Sequence, residues 1–299
     1  MAIHAFLEYL ILEKNYSVHT ITAYRNDLEN FTAFCVDTFE RDGVEDASYV
    51  EIRTWIGSLV EDGLSNASVN RKVSSLKSYY KFLQRISRID TSPLATHKSL
   101  KMAKRLHFPF SEKEITEVLD MFEGATDFES LRDKSMIEIL YATGIRRFEL
   151  LALKHKDVDF GEKTIKVLGK RNKERLIPLL DPVLKTLQQY DVQRSILGIR
   201  ADYFFVTSKG KKMYGTFVYR VINKYFRAVS SKEKTSPHVL RHSFATHLLN
   251  EGADLNSVKE LLGHSSLAST QVYTKVNLKK MKEVYNKAHP RGAKKNEGL

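Results

Sequence analysis

The stretch SPHVLRHSFATHLLNEG, residues 236–252, decides how the second half of the chain is read. Ser236 is a good N-cap, and Pro237 suits the first helical position, where its missing N–H costs nothing. Leu240, Phe244 and Leu248 recur four apart as a core-facing row, and Gly252 supplies a stop. His238, Arg241 and His242 then fall at the start of the helix, where the dipole disfavours cations. A surface helix would carry acids there. The placement makes sense for an anion held by the free backbone N–H groups, with His238 and Arg241 as two added donors.

The composition points the same way. The 299 residues include 48 Lys and Arg against 36 Asp and Glu, a formal charge of +12. The length suggests two domains, and 42% hydrophobic residues suffice for packed cores. A polyanion is the natural partner of such a charge, although solubility alone is the bland reading. Cys35 is the only cysteine, so an intrachain disulfide and a thiolate zinc cluster are both excluded, and Cys35 reads as a small core residue. The opening MAIHAFLEYLILEKNYS is broken by Glu8 and Glu13, so it reads as neither a signal peptide nor a membrane span. The expectation is a soluble protein of a reducing compartment.

Hydrophobic spacing predicts an all-helical region over residues 1–90. Phe6, Leu7, Leu10 and Ile11 mark a first helix, and Tyr24, Leu28, Phe31 and Phe34 a second, capped by Thr20. A third runs from about Tyr49 to Glu61, ending near Gly63. A fourth starts at Ser65 or Asn66 and places Val69, Val73, Leu76, Tyr80 and Leu83 on one face. Its other face holds Asn70, Arg71, Lys72, Ser75, Lys77 and Ser78, either a solvated face or a surface for a phosphate backbone. Residues 91–110, TSPLATHKSLKMAKRLHFPF, carry Lys98, Lys101, Lys104 and Arg105 and no acid. They read as a basic linker, suited to following a nucleic-acid backbone or serving as a plain connector.

From Ser111 a second domain is expected, over 111–290, with a disordered tail at 291–299. The Ser111–Glu114 pair is a capping box opening a helix to about Met121. A helix over about 129–142 ends at Gly144, and another begins near Arg146 with Leu150, Leu151 and Leu153 inward. KTIKVLGKRNKERLIPL predicts a β-hairpin, with Ile165, Val167, Leu176, Ile177 and Leu179 around a turn at Gly169–Lys173. Helices follow near 182–192, 216–230, 255–262 and 266–285. The fold class is therefore mainly α with a small β element, in two domains.

Metal chemistry is the first alternative for the opening stretch. His238 and His242 are four apart and His247 follows, but an HExxH zinc site needs a glutamate where Val239 stands. Phosphate binding is preferred.

Four other segments complete the pattern. ATGIRRFELLAL puts Arg146 just past Gly144, and GKRNKERLIPL puts Lys170 at a hairpin tip. LLGHSSLASTQVYT puts His264 after Gly263, with Tyr273 nine residues on. Singly each is commonplace; Arg146, for one, could simply pair with Glu149 on the same helix. In this order, with HxxRHSFATHL, they resemble the tyrosine recombinase family over nearly the whole chain, most nearly its Xer branch through GHSSLASTQVYT and the later HPR.

The resemblance implies a helical core-binding domain of SAM-like type (1–90) and a catalytic domain, arranged as a C-shaped clamp. It implies that Tyr273 is the nucleophile, that Arg146 and Arg241 clamp the scissile phosphate, and that Lys170 protonates the leaving 5′ oxygen. His238 and His264 would assist with protons and hydrogen bonds. It further implies a DNA recombination site as partner, a 3′-phosphotyrosyl intermediate, chemistry of the type IB topoisomerase kind, and a tetramer working through a Holliday junction. The register after ATGI favours Arg146 over Arg147. Arg171 and Phe148 depart from the family's usual residues, and Arg171 and Lys173 join the candidate DNA contacts.

The chemistry itself is consistent with these roles. Two arginines are permanently charged planar forks able to grip non-bridging oxygens without a metal, so neither cofactor nor metal is expected. A phenol, with a pKa of roughly 10, needs a cationic pocket or a base to attack as phenolate. An Xer-type role in resolving chromosome dimers, in the cytoplasm at the nucleoid, is preferred because the chain begins almost directly with the core-binding helices. An integrase or transposase of a mobile element is the alternative, and a DNA-binding protein without catalysis a weaker one. A homotetramer and a mixed tetramer with a related recombinase both remain open, as does a septal DNA translocase as partner. The amphipathic segment 277–288 would dock on a neighbouring subunit or pack on its own domain.

Overall fold

The structure is a computed structural model and describes residues 2–41, 43–102, 108–169 and 174–263. The chain divides into two compact units at the 105/106 boundary.

The first unit contains α1 (Ala2–Leu12), α2 (Val18–Phe39), α3 (Tyr49–Glu61) and α4 (Asn66–Arg85). Its core gathers Phe6, Leu28, Phe31, Trp55, Leu76, Tyr79 and Tyr80. Cys35 lies in that core, where burial, with the Glu51 charge adding to it, pushes the thiol up to about 11. The cap of α2 is Ser17 rather than Thr20: the Ser17 hydroxyl accepts from the Thr20 N–H at 3.3 Å. The hydroxyl that can reach a free amide is the one three residues ahead of it. Ser48 and Glu51 cap α3 reciprocally, and Ser65 caps α4. Ile11 turns outward, half-exposed, while Phe6, Leu7 and Leu10 are buried.

Part of the basic segment belongs to this unit. Leu94 is buried in its core and Leu100 packs against it. The Asn70 amide pairs with the Leu100 backbone in both directions, at 2.9 Å each. Asn66 donates to the Lys101 carbonyl at 2.8 Å, and Lys77 to the His97 carbonyl at 3.1 Å.

The second unit begins with α5 (Glu112–Asp120), where the Ser111–Glu114 capping box forms as its sequence implies. Next come α6 (Phe128–Thr143) and α7 (Arg147–Ala152), then β1 (Val158–Asp159), β2 (Thr164–Leu168) and β3 (Glu174–Pro178). The helices α8 (Asp181–Ile196), α9 (Gly215–Val229), α10 (Pro237–Asn250) and α11 (Leu255–Leu262) follow. The three strands form one antiparallel sheet in the order β1-β2-β3; β1 has no counterpart in the hairpin read from the sequence.

Helix α6 is buried almost all round, which makes it the centre of the unit, packed by α8 and α10. In the sheet, Ile165 faces Ile177 and Val167 faces Arg175, and all four are buried. Leu176 is on the opposite face and only half-buried. Side chains alternate along a strand, so placing Ile177 and Leu179 inward brings Arg175 in with them and turns Leu176 away.

Candidate active site

Three chain ends meet at the centre of the second unit. Helix α6 stops at Gly144, whose φ of 60° is left-handed. No side chain fits there: a Cβ would lie 2.8 Å from Leu262 Cδ2 and against the ring of Phe244. The chain then turns through buried Ile145 to Arg146, the residue that caps α7. From the other side, α11 ends at Leu262, and Gly263 has φ 64°.

Arginines lash these ends together. Arg241, on α10 and buried, donates from Nη1 to the Gly144 carbonyl and from Nη2 to the Leu262 carbonyl at 2.6 Å. Arg146 donates from Nη2 to the Gly263 carbonyl at 3.1 Å. Its backbone N–H and Nη1 donate to Glu149 at 2.8 and 2.9 Å. The same-helix pairing with Glu149 thus exists, as part of a larger cluster. Arg175, from β3, grips the other side of Glu149 with two bonds of 2.9 and 2.8 Å.

Two guanidinium groups therefore grip one carboxylate, and Arg241 is near enough to feel the charges of all three groups, leaving an excess of positive charge in a largely buried place. Burial favours the neutral form of Glu149, but the bonds and charge of Arg175, followed by those of Arg146, outweigh it and hold the carboxyl below its ordinary value. Burial, then the neighbouring Arg146, pulls Arg241 down to about 10, against the opposing pull of Glu149. A guanidinium has five N–H donors; those bonds use one each from Nη1 and Nη2 of Arg241. The Arg146 side chain is 38% exposed, so it can meet a solvent-borne anion.

His238 is exposed on the first turn of α10, one turn before Arg241, and His242 is exposed beside it. His247 is buried, and its Nδ1 pairs with the Tyr141 hydroxyl at 2.9 Å, so it serves the core rather than a metal. Among the described residues no group of three or more His, Cys, Asp or Glu is placed to hold a metal ion. Lys170, Arg171, Lys173, His264 and Tyr273 lie outside the described residues, as do Lys104, Arg105 and the segments 266–285, 277–288 and 291–299.

The polar face of α4 is engaged within its own unit. Buried Asp27 accepts two bonds from Arg71 (2.6 and 2.9 Å), one from Ser75 (2.7 Å) and one from Lys72 (3.3 Å). Asn70 and Lys77 hold the 97–100 backbone as described above. Lys98 and Lys101 are exposed.

Two residues of the central cluster were not singled out from sequence. Glu149 figured only as a partner for Arg146, and Arg175 was passed over inside an apolar strand. The period of two, counted from Ile177 and Leu179, was the signal for Arg175.

Comparison with known proteins gives these features their class. Residues 109–280 match the Phage integrase family, and residues 3–86 match the Phage integrase N-terminal SAM-like domain. The tyrosine recombinase XerC of Chlorobaculum parvum is 38% identical, over 95% of this chain and 93% of that one. XerC of Bacillus subtilis is also 38% identical, over 97% of each. The Tn1549 transposon integrase in complex with circular intermediate DNA shares the fold, with a TM-score of 0.70 at 20% identity over 93% of this chain and 98% of that one. So does lambda integrase in a tetramer bound to a Holliday junction, with 0.67 at 18% identity over 92% and 79%. The family and these relatives make the chain an enzyme that cleaves and rejoins DNA strands. The chain belongs to the phage integrase family of tyrosine recombinases, and its full-length likeness is to site-specific recombinases of the Xer type.

Proposed function

We propose that the chain carries out strand exchange with Tyr273 as its nucleophile. The phenol oxygen attacks the scissile phosphorus in line, the bond to the 5′ oxygen breaks, and that oxygen takes a proton from Lys170. The phenol proton passes to one of the two histidines, His238 or His264. Arg146 and Arg241 grip the non-bridging oxygens, where preorganised donors each contribute roughly 10²–10³ in rate. The phosphotyrosyl ester conserves the bond energy, so the 5′ hydroxyl of another strand reverses the step. The observation that carries the reading is the arginine excess around Glu149: Arg241 is held buried and charged beside Arg146, at a cost that a bound phosphate would relieve.

Resolution of chromosome dimers at a chromosomal core site is the preferred role, supported by likeness to XerC proteins over nearly their whole length. Four protomers, identical or shared with a related recombinase, would work on two duplexes at the nucleoid in the cytoplasm, with a septal translocase as a candidate partner. No helix among the described residues is long and apolar enough to cross a membrane. Lys98 and Lys101 are exposed candidates for phosphate contact in the first unit; Arg71 is also exposed but has its guanidinium committed to Asp27, and Asn70, Lys72 and Lys77 would act mainly by shaping that surface.

The test is a suicide substrate that traps the covalent complex, followed by sequencing of genomic DNA captured the same way. A 3′-linked adduct that disappears in Tyr273→Phe, on a chromosomal core site, is expected. Captured ends of a mobile element would move the role to integration or transposition. No adduct, or hydrolysed ends, would overturn the chemistry.

A further inference from the structure

Arg175 is buried at one end of β3, and three elements depend on it. Nη1 and Nη2 bond both oxygens of Glu149 on α7, and Nε donates to the Leu261 carbonyl near the end of α11 at 3.2 Å. Gly263 stands close against it: a Cβ there would lie 3.1 Å from Arg175 Nη1. Glu149 carries the link onward through its two bonds to Arg146, and Arg146 returns it to the Gly263 carbonyl. Each tied segment adjoins a residue assigned to the chemistry: Lys170 precedes β3, Arg146 caps α7, and His264 follows Gly263.

A bidentate arginine–carboxylate pair fixes orientation as well as distance. Lysine keeps the charge but has neither the planar fork nor a donor placed for the Leu261 carbonyl. Arg175 also keeps Glu149 ionised, and only an ionised Glu149 accepts from both the backbone and the side chain of Arg146 without competing for their protons.

We propose that Arg175 is a positioning residue for strand transfer: through Glu149 it sets the orientation of the Arg146 guanidinium, and through Leu261 it fastens β3 to the end of α11. This rests on the reading of Arg146 as a phosphate clamp.

The test measures the single-turnover rate of covalent adduct formation at saturating suicide substrate, alongside DNA affinity and melting temperature. Arg175→Lys in the full chain is expected to bind DNA within about twofold of the wild type, because the contact surface is unchanged, yet to react about 10- to 100-fold more slowly, the scale of a misplaced reacting group. Glu149→Gln, which keeps the shape and removes the charge, carries the same expectation. In an Arg146→Lys background, Arg175→Lys should slow the reaction far less, because coupled residues do not act additively. An equal slowing in both backgrounds would show a merely structural role and overturn the proposal, as would Arg175→Lys reacting at the wild-type rate. A wild-type chain that forms no adduct would instead remove the clamp reading, and this proposal with it.

Discussion

Arg241 reaches from α10 to the carbonyl of Gly144, the residue at which α6 ends. This contact joins the helix that opens with the histidine-arginine stretch to the turn that delivers Arg146. Close approach here depends on the absence of a side chain at residue 144, and on the left-handed backbone that glycine accepts.

Gly144→Ala is therefore expected to destabilise the second unit by ~2–5 kcal/mol, combining left-handed strain with overpacking against Phe244 and Leu262. Hydrogen exchange of the α6 and α10 amides measures it; unchanged protection would refute the packing argument.

Arg241→Lys should lower the rate of adduct formation by ~10²–10³. A lysine cannot hold the Gly144 and Leu262 carbonyls together and still present a planar face to phosphate. Single-turnover cleavage is the measurement, and a loss confined to DNA affinity would speak against the clamp role.

Acid stability should depend on Glu114. Burial works against its carboxylate, but the Lys232 ammonium at 2.7 Å and hydrogen bonds from Ser230 and Ser111 hold it at about 2, below the ordinary 4.5. A depressed folded value means the unfolded chain takes up the proton first. The stabilisation is thus complete above about pH 4.5 and is lost as pH falls toward 2. Melting temperatures between those limits should fall less steeply for Glu114→Gln than for the wild type.

Asp27 anchors the polar face of α4 from within the first unit. Asp27→Ala leaves Arg71, Lys72 and Ser75 without their shared acceptor and should cost ~2–4 kcal/mol. Trp55 is the only tryptophan and lies in this unit's core, so its fluorescence during denaturation reports the change.

Phosphate contact by the first unit can be separated from such internal roles by salt dependence. Lys98→Ala and Lys101→Ala should each reduce the slope of log affinity against log salt by about 0.9, while Arg71→Ala should change it little. Equal effects at all three positions would return Arg71 to the contact surface.

Much of the local architecture was legible beforehand. The Ser111–Glu114 box, Ser65 before α4, Gly144 after α6 and the limits of α11 all depend on groups within a few residues of one another. Ser17 in place of Thr20 shows the limit even there, since several hydroxyls stood near the same helix start. The arginines at 146 and 241 could be picked out because motif order and helix position marked them. Apart from Glu149, three residues from Arg146, their partners could not, because a guanidinium pairs with whichever carboxylate or carbonyl packing brings near. Asp27 meets Arg71, and Glu149 meets Arg175, across long separations in the chain.

By itself the amino-acid order determined where most helices begin and end and the types of side chain available to a phosphate. Those properties follow from short-range hydrogen bonding and from the periodicity of apolar residues. Only the tertiary structure decided that Arg175 turns inward, that Glu149 is shared by two guanidinium groups, and that the face of α4 is held from within. Those outcomes depend on which surfaces are buried together, and burial makes each unpaired charge costly enough to dictate its neighbour.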